Sequence, residues 1–397
     1  MRPDPKALPE LVQDLHRQGR PWLPAGLGSR LDWGPSLSTP VEVVSCAGLN
    51  RIVDHEPGDF TITVEAGAPL VEVQQSLAAH GQWLSLDLPW GSGCSGSVGG
   101  LVARGLAGGY RQRYLGVRDQ LIGLRLLRAD GVAAHAGGKV VKNVAGYDLM
   151  RLFTGSWGSL GLITELTLRT MPLPPHRRGL IVQGPIPRLN DLARWLLAST
   201  LMPERIDWWS ASLAAAAGLP REPLLLLALA SVDPDTLQQQ IHDIRGRTDL
   251  PTRDLDRAEL GVLLSIARCG SDAGWGSDAE VPSPRWLLRL GVTPSRAAEV
   301  LTASELTGIP VEVAAESGLG MAWSDGNLCS HQVTSLRNHC HQLGGYLTVL
   351  RQPPTTALSA WEDAPSKPLI QRIKSQLDPQ GLLAPGRLPG VARPGMM

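Results

Sequence analysis

The feature that most constrains the fold is a glycine-rich stretch over residues 137–165. Residues 148–153 can form a short helix, and a loop with three glycines follows. The stretch then continues into an apolar strand, residues 162–168, rich in β-branched residues. Because glycine lets backbone amides approach a ligand closely, this order of helix, loop and strand predicts a binding loop at the end of a strand.

Two further glycine-rich loops precede that stretch. Residues 24–29 place two glycines after a short apolar run, where exposed N–H groups could bind an anion or the chain could simply turn. Residues 91–100 contain a literal G-x-G-x-x-G, but Pro89 and Trp90 stand where a Rossmann site needs a strand. A short helix over 98–104 could follow, which leaves both a pyrophosphate site and a packing turn open.

The stretch 137–165 closely resembles the flavin-binding segment of the vanillyl-alcohol-oxidase family, also called the PCMH-type FAD-binding family. The matching positions run from Lys142 to Glu165 and include the Gly-Tyr-Asp-Leu and Gly-Ser-x-Gly-x-Leu-Gly patterns. The two earlier loops fall where that family has its pyrophosphate loops. The segment 117–119 and the tail 378–387 also resemble the family's pattern, with Ala384 replacing its usual Asn.

This resemblance implies an α+β fold with a PCMH-type FAD-binding domain over 1–172 and a smaller α+β cap over 173–365. A tail, 366–397, would return to the FAD-binding domain. The Pro-rich stretch 172–176 separately supports a boundary there, because three prolines in five residues favour an extended linker.

The resemblance also implies which residues hold the cofactor. The glycine-loop amides would hold the pyrophosphate, and the third segment would line the adenosine side and the isoalloxazine. The expected FAD-binding residues are Pro24, Ala25, Gly26, Leu27, Gly28, Ser29, Ser95, Gly96, Ser97, Gly99, Gly100, Arg118, Gly155, Ser156, Gly158, Leu160, Gly161 and Ile163.

Attachment of FAD is expected to be non-covalent. Some family members link FAD through a His in the first loop, but here that loop ends in Gly28-Ser29-Arg30. Cys94 lies in the second loop, one residue too far from Val98 for a linking Cys, so it is interpreted as a packing residue. Trp157 stands where relatives have Glu or Leu, and it could pack or cover part of the flavin site.

Within the family, the chain most resembles FAD-binding subunits of glycolate oxidase. That likeness implies a larger flavoprotein subunit and an iron–sulfur subunit as partners, and a small 2-hydroxy acid as substrate. The five cysteines are scattered and form no C-x-x-C pair, so a cluster on this chain is not expected. Two alternatives stay open: a self-sufficient D-lactate-type dehydrogenase and a non-catalytic assembly subunit.

Composition limits the other classes of function. Basic and acidic residues balance at 37 each, which disfavours nucleic acid as a partner. The N-terminus lacks an apolar signal region, and no apolar run approaches the length of a membrane span. We expect a cytoplasmic protein that could dock on a membrane through a partner.

No catalytic residue is assigned from the sequence, and no metal is expected. The loop 324–331 resembles a family G-D-G-N-x-H site but has Cys329 in place of the His, and an ordinary turn before a helix is the preferred interpretation. His331, His339 and His341 would point in different directions on a helix. Several arginines, among them Arg285, Arg289 and Arg351, could bind a carboxylate.

Overall fold

Two β-sheets organise the chain, one of five strands and one of eight, each with its own core. The computed structural model describes residues 1–37, 40–87, 96–139, 147–269, 286–326 and 328–392. The α+β class expected from the sequence is confirmed.

The elements up to residue 172 surround the five-stranded sheet. The strands are β1 (Trp22–Ala25), β2 (Glu42–Ser45), β3 (Ile52–Glu56), β4 (Thr61–Glu65), β5 (Gln82–Trp83), β6 (Leu121–Leu127), β7 (Ala133–Gly137), β8 (Leu162–Arg169) and β9 (Met171–Pro172). The helices are α1 (Leu8–Arg17), α2 (Leu70–Ala78), α3 (Val98–Arg104), α4 (Arg111–Tyr114) and α5 (Val117–Gln120). Short 3-10 helices cover Pro5–Ala7, Pro57–Asp59 and Leu149–Phe153.

The five-stranded sheet has the order β3-β4-β8-β6-β7, and all its neighbours are antiparallel. Its central strands are apolar, and α2 and α3 pack against them in one core. Thr63 and Thr167, which face each other on β4 and β8, satisfy their buried hydroxyls through one hydrogen bond of 3.0 Å. Strands β1 and β2 form a separate parallel pair beside this sheet.

The elements after residue 172 build the eight-stranded sheet and its helices. The strands are β10 (His176–Gln183), β11 (Arg205–Trp209), β12 (Leu224–Ser231), β13 (Thr252–Leu255), β14 (Trp286–Gly291), β15 (Val311–Ala314), β16 (Leu319–Ser324) and β17 (Tyr346–Arg351). The helices are α6 (Ile186–Ala198), α7 (Ala211–Ala216), α8 (Pro234–Arg247), α9 (Arg257–Cys269), α10 (Ser330–Gln342) and α11 (Lys367–Leu377). Two 3-10 helices cover Pro294–Thr302 and Ser304–Leu306.

The eight-stranded sheet has the order β13-β10-β12-β11-β15-β16-β14-β17 and buries both of its faces. Alternation along a strand separates the two cores: Ile206 and Trp208 of β11 point to one, and Trp209 points to the other. Helices α6, α8 and α10 cover the first face. The second face packs in part against Trp33 and Trp157 from the N-terminal part, so the two sheets meet there.

The C-terminal segment runs back to the N-terminal strands. Trp22 of β1 donates its amide to the carbonyl of Leu382 at 2.9 Å and accepts from the amide of Ala384 at 2.8 Å. Lys374 donates to the carbonyl of Ser159 at 2.7 Å. The domain boundaries 1–172, 173–365 and 366–397 remain a prediction, with these contacts as their structural context.

Among the residues that the structure describes, no helix has the length and apolar character needed to cross a bilayer.

Candidate functional site

The first loop follows β1 directly and contacts the second loop. A Cβ on Gly26 would come within 2.0 Å of the Ser97 hydroxyl oxygen, so only glycine permits this approach. Gly28 has a φ of +78°, a conformation that side chains rarely adopt. The two loops therefore hold their backbones against each other at one edge of a cavity.

The second loop is fixed by the start of α3. Ser97 caps the helix, and its hydroxyl accepts from the amide of Gly100 at 3.1 Å. A Cβ on Gly99 would lie 2.7 Å from both the Cβ and the carbonyl oxygen of Ala66. Glycine at this position lets α3 pack directly on the backbone that follows β4.

The third segment is hydrogen-bonded to the C-terminal end of α3. The amides of Gly155 and Trp157 donate to the carbonyls of Val102 and Ala103 at 3.0 and 2.9 Å. Trp157 has a φ of +56°, which is strained for a large side chain. Its ring is buried against Trp361, with ring centroids 5.2 Å apart, and it also lines the cavity.

The three loops converge on one cleft of about 1350 Å³, counted with its open mouth. Thirteen of the expected residues line it: Pro24, Ala25, Gly26, Leu27, Gly28, Ser29, Gly96, Ser97, Gly99, Gly100, Gly158, Gly161 and Ile163. Ser95 lies outside the described residues, as do Cys94 and the Lys142–Gly146 part of the third segment.

Four expected residues do not line the cleft. Arg118 is exposed on α5. Gly155 is used in packing, because its backbone lies against Gly105 at the end of α3. Ser156 donates its hydroxyl to the carbonyl of Phe153 at 2.8 Å, and Leu160 is buried in the core of the five-stranded sheet.

Five arginines that were not assigned from the sequence line the same cleft, and three of them, Arg30, Arg104 and Arg387, are grouped. Arg104 donates to the carbonyl of Arg30 at 2.6 Å, and its guanidinium lies 4.0 Å from the centre of the Trp157 ring. Its Nη1 has no hydrogen-bond partner among the described residues. Burial, followed by repulsion from Arg387 and Arg30, lowers the pKa of Arg104 to about 9. Such a group favours an anion in the cleft.

The signal for two of these arginines was present in the sequence. Arg30 follows the first loop, and Arg387 ends the Pro-Gly-Arg tail motif. Arg104 had no comparable signal, because only the fold brings the last residue of α3 to the other two.

An ionic cluster contributes Asp87, Arg205 and Glu312 to the lining of the cleft. Arg205 is fully buried and contacts the carboxylates of Asp87, Asp207 and Glu312 at 3.0, 2.6 and 3.1 Å. Burial raises the pKa of Asp207 to about 7, although Arg205 opposes this shift. Gly109 lies against the cluster, since a Cβ there would be 2.4 Å from Asp207 Oδ1. The cleft thus contains both this ionic cluster and a basic wall formed by Arg30, Arg104 and Arg387.

Other predicted candidates are placed outside this arrangement or at its edge. Arg289 lines the cleft, whereas Arg351 pairs with Asp32 at 2.7 Å. His341 contacts Glu362 at 2.7 Å. Within the described ranges, no three His, Cys, Asp or Glu side chains are grouped so that they could bind a metal ion.

The cleft fits FAD in both shape and charge. FAD is long and carries an anionic diphosphate, and the cleft is lined by all three loops and by the grouped Arg30, Arg104 and Arg387. Glycines at positions where a Cβ would clash bring backbone amides to its edge, and the unpartnered Nη1 of Arg104 offers a cationic donor.

Comparison with known proteins agrees with this geometry. Residues 4–137 match the model of a protein family described as an FAD binding domain. The glycolate oxidase subunit GlcE of Escherichia coli K12 is 35% identical over 196 residues, which is 48% of this chain and 54% of that protein. A D-2-hydroxyglutarate dehydrogenase of Xanthomonas citri is 33% identical over 69% of this chain and 56% of its own length. The chain therefore aligns with about half of each relative.

A solved structure of alkyldihydroxyacetonephosphate synthase superposes with a TM-score of 0.71 over 97% of this chain and 75% of that chain. At 14% identity, this likeness concerns the fold alone.

The fold, the cleft and the family match together define an FAD-binding protein. Residues 4–137 therefore form an FAD-binding domain of the matched family, and FAD is the cofactor.

Proposed function

We propose that this chain is the FAD-binding subunit of a 2-hydroxy-acid dehydrogenase complex of the glycolate oxidase type. The observation that carries the proposal is that the glycine loops and one face of the eight-stranded sheet line a single cleft. A flavin held by the loops and a small acid held by the sheet could therefore meet. The likeness to a glycolate oxidase subunit and to a 2-hydroxy-acid dehydrogenase supports this substrate class.

In this proposal the loop residues that line the cleft hold the FAD diphosphate through backbone amides. Arg30, Arg104 and Arg387 balance its negative charge. Gly158, Gly161 and Ile163 form the wall beside the loops. Bound FAD supplies the two-electron acceptor, while the protein supplies position, charge and exclusion of water. The expected residues that do not line the cleft have other places: Arg118 remains at the surface, while Gly155, Ser156 and Leu160 act by packing.

Non-covalent attachment of FAD is part of the proposal. The described lining of the cleft includes no histidine. Its one described cysteine is Cys46, and burial raises the pKa of that thiol to about 12, which keeps it protonated and unreactive. Denaturation in acid should therefore release all of the flavin into the supernatant. Flavin that stays with the precipitated protein would contradict this part.

The proposed partners are a larger flavoprotein subunit and an iron–sulfur subunit. The five cysteines of the chain are widely spaced in sequence, which disfavours an iron–sulfur cluster on this chain, and an iron–sulfur subunit would receive the electrons of the flavin. The relative GlcE is itself named as a subunit, which supports assembly into a complex.

An absorption spectrum and a reduction assay test the function. The purified protein, reconstituted with FAD, should show flavin bands near about 370 and 450 nm. Glycolate or D-lactate should bleach the 450 nm band without oxygen, and turnover with a dye acceptor should increase when the partner subunits are added. A protein that binds FAD but is reduced by neither acid, with or without partners, would overturn the proposal.

A self-sufficient D-lactate-type dehydrogenase is the second candidate. It is favoured by the match to D-2-hydroxyglutarate dehydrogenase, which covers 69% of this chain and must therefore extend beyond the first domain. Full turnover by the isolated chain would favour this candidate over the subunit. A protein that stays colourless after FAD is added would instead indicate a non-catalytic assembly role.

A further inference from the structure

Three neighbouring strands of the eight-stranded sheet, β14, β16 and β15, place three cleft residues in one row, and Trp209 on β11 continues that row. Arg289 on β14 faces Met321 on β16, Met321 faces Glu312 on β15, and Glu312 faces Trp209 on β11. Directly opposed residues in antiparallel strands point to the same side of a sheet. Arg289, Met321 and Glu312 line the cleft that the glycine loops also line, so this side faces the FAD site.

Arg289 is a buried cation without a counter-ion among the residues that the structure describes. It is 9% exposed, and no carboxylate of the described residues forms an ion pair with it. Burying a guanidinium is costly unless an anion compensates the charge. Because the planar guanidinium matches a carboxylate through two parallel hydrogen bonds, a carboxylate ligand fits this position.

Two hydrogen bonds fix the orientation of the Glu312 carboxylate, and both are accepted by the same oxygen. Its Oε1 accepts from Arg205 Nη2 at 3.1 Å and from Trp209 Nε1 at 3.3 Å. Its Oε2 makes no hydrogen bond with the described residues, and the side chain is 13% exposed. The free oxygen can accept a proton from a ligand in the cleft.

The row keeps the two charged side chains near each other. The strand spacing of about 4.8 Å places the backbones of Arg289 and Glu312 about 10 Å apart, with Met321 between them. Because both long side chains line the same cleft, a small acid that lies over Met321 is within reach of both.

We propose that Arg289 binds the carboxylate of a 2-hydroxy acid and that Glu312 accepts its hydroxyl proton. The inference deepens the proposed function and rests on it, because it gives this chain a substrate site without histidine or metal. In that reaction the O–H proton would move to Glu312, the C2–H bond would break and a C2=O bond would form, while bound FAD would supply the acceptor for the C2 hydrogen and its electron pair. The products are the 2-oxo acid and reduced FAD. Arg205 and Trp209 are positioning residues for Glu312.

Binding of oxalate, a small dianion that carries no transferable hydride, tests the two roles separately from turnover. Isothermal titration of the FAD-loaded protein should give binding that Arg289→Met weakens at least about 10-fold, with part of it restored in Arg289→Lys. Glu312→Gln should retain oxalate binding. It should slow reduction of the flavin by glycolate or D-lactate about 100-fold or more, measured by stopped flow without oxygen.

Two variants control for the chemical changes themselves. Arg194→Met and Glu316→Gln make the same substitutions at exposed sites away from the cleft and should match the wild type in both assays. FAD content and melting temperature are measured for every variant, so that a folding defect is not counted as a lost role.

The outcomes separate this inference from the proposed function. If the wild type binds oxalate and is reduced by an acid, while folded Arg289 and Glu312 variants behave like the wild type, the site is wrong and the function stands. If the wild type holds FAD but neither binds oxalate nor is reduced, alone or with its partners, both are overturned.

Discussion

At the scale of single residues, the cleft combines charges that an isolated chain would not bring together. In the ionic cluster, Arg205 faces three carboxylates, so the cluster has surplus negative charge. On the basic wall, Arg30 and Arg387 repel Arg104. Asp32 offsets part of that repulsion. Both groups cost folding free energy that bound ligands and a retained proton can reduce.

Asp207 should make stability depend on pH. Its pKa rises from 3.8 to about 7 on folding, so between about pH 4 and pH 7 the native state holds a proton that the unfolded state releases. This contribution to stability is therefore present at pH 4 and is lost as the pH rises to 7. Asp207→Asn removes the titration while Asp87 and Glu312 still face Arg205.

Urea unfolding at a series of pH values checks this prediction. The stability of Asp207→Asn relative to the wild type should increase from pH 4.5 to pH 8, and Asp191→Asn, at an exposed site, should show no such trend. A constant difference between Asp207→Asn and the wild type would contradict the raised pKa.

Arg104 should lower the stability of the apoprotein and raise the affinity for FAD. Arg104→Met removes a charge that Arg30 and Arg387 repel, so the FAD-free protein should unfold at a higher temperature. The same change removes a cationic donor from the cleft and should weaken FAD binding about 10- to 100-fold, measured by flavin fluorescence. The control is Arg372→Met on the exposed side of α11. Unchanged FAD affinity would place Arg104 outside the cofactor site.

At the scale of elements, the glycine pattern predicted where the three loops lie but not every role within them. The loops converge because Gly26 and Gly99 permit backbone approaches that the sequence marks only as glycine. Gly155 carries the same sequence signal, yet it packs against the end of α3. The role of each glycine depends on which long-range neighbour it meets, and a single sequence does not contain that information.

One predicted helix takes a different form for a local reason. The pattern over residues 293–304 predicts an α-helix, but Pro294–Thr302 is a 3-10 helix. Ala297, Val300 and Ala303 are buried at every third position, which suits three residues per turn, and Ala298 is buried beside them. The spacing of these apolar residues is visible in the sequence, but the residues that pack against them are not.

The contact between α3 and the backbone after β4 should tolerate only glycine. Gly99→Ala places a Cβ 2.7 Å from Ala66 and should cost about 1–3 kcal/mol of stability and reduce FAD binding. Gly261→Ala lies in the interior of α9 with open space around it and should instead stabilise the protein by about 0.5–1 kcal/mol. Chemical unfolding measures the stability of both variants, and FAD titration measures their affinity for the cofactor. Equal effects at the two sites would show that the close approach is not tight.

At the scale of the whole molecule, the last segment joins the two ends of the chain. Asp378 is buried and accepts from the amides of Leu382 and Leu383 at 3.1 and 2.9 Å and from Lys374 at 2.6 Å. Removing the buried carboxylate leaves the two backbone amides unpaired and the charge of Lys374 uncompensated, so Asp378→Ala should cost about 3–5 kcal/mol. Arg387 follows the same turn, so FAD affinity should fall as well.

Asp363 provides a matched control for Asp378. It also contacts a lysine four residues later, Lys367, and a backbone amide, that of Ala392, but its side chain is 48% exposed. Asp363→Ala should therefore change the melting temperature little, because water replaces the lost contacts. Similar losses in the two variants would mean that the tail does not depend on the buried carboxylate.

The return of the tail to β1 has a consequence for synthesis of the protein. Trp22 leaves the ribosome early, but its partners, Leu382 and Ala384, emerge more than 350 residues later. Arg387, which completes the basic wall, follows them. The cleft cannot be complete while the nascent chain is still short of this segment, so flavin uptake becomes a late event in biogenesis. A chain that terminates prematurely would be distinguishable by its lack of yellow colour.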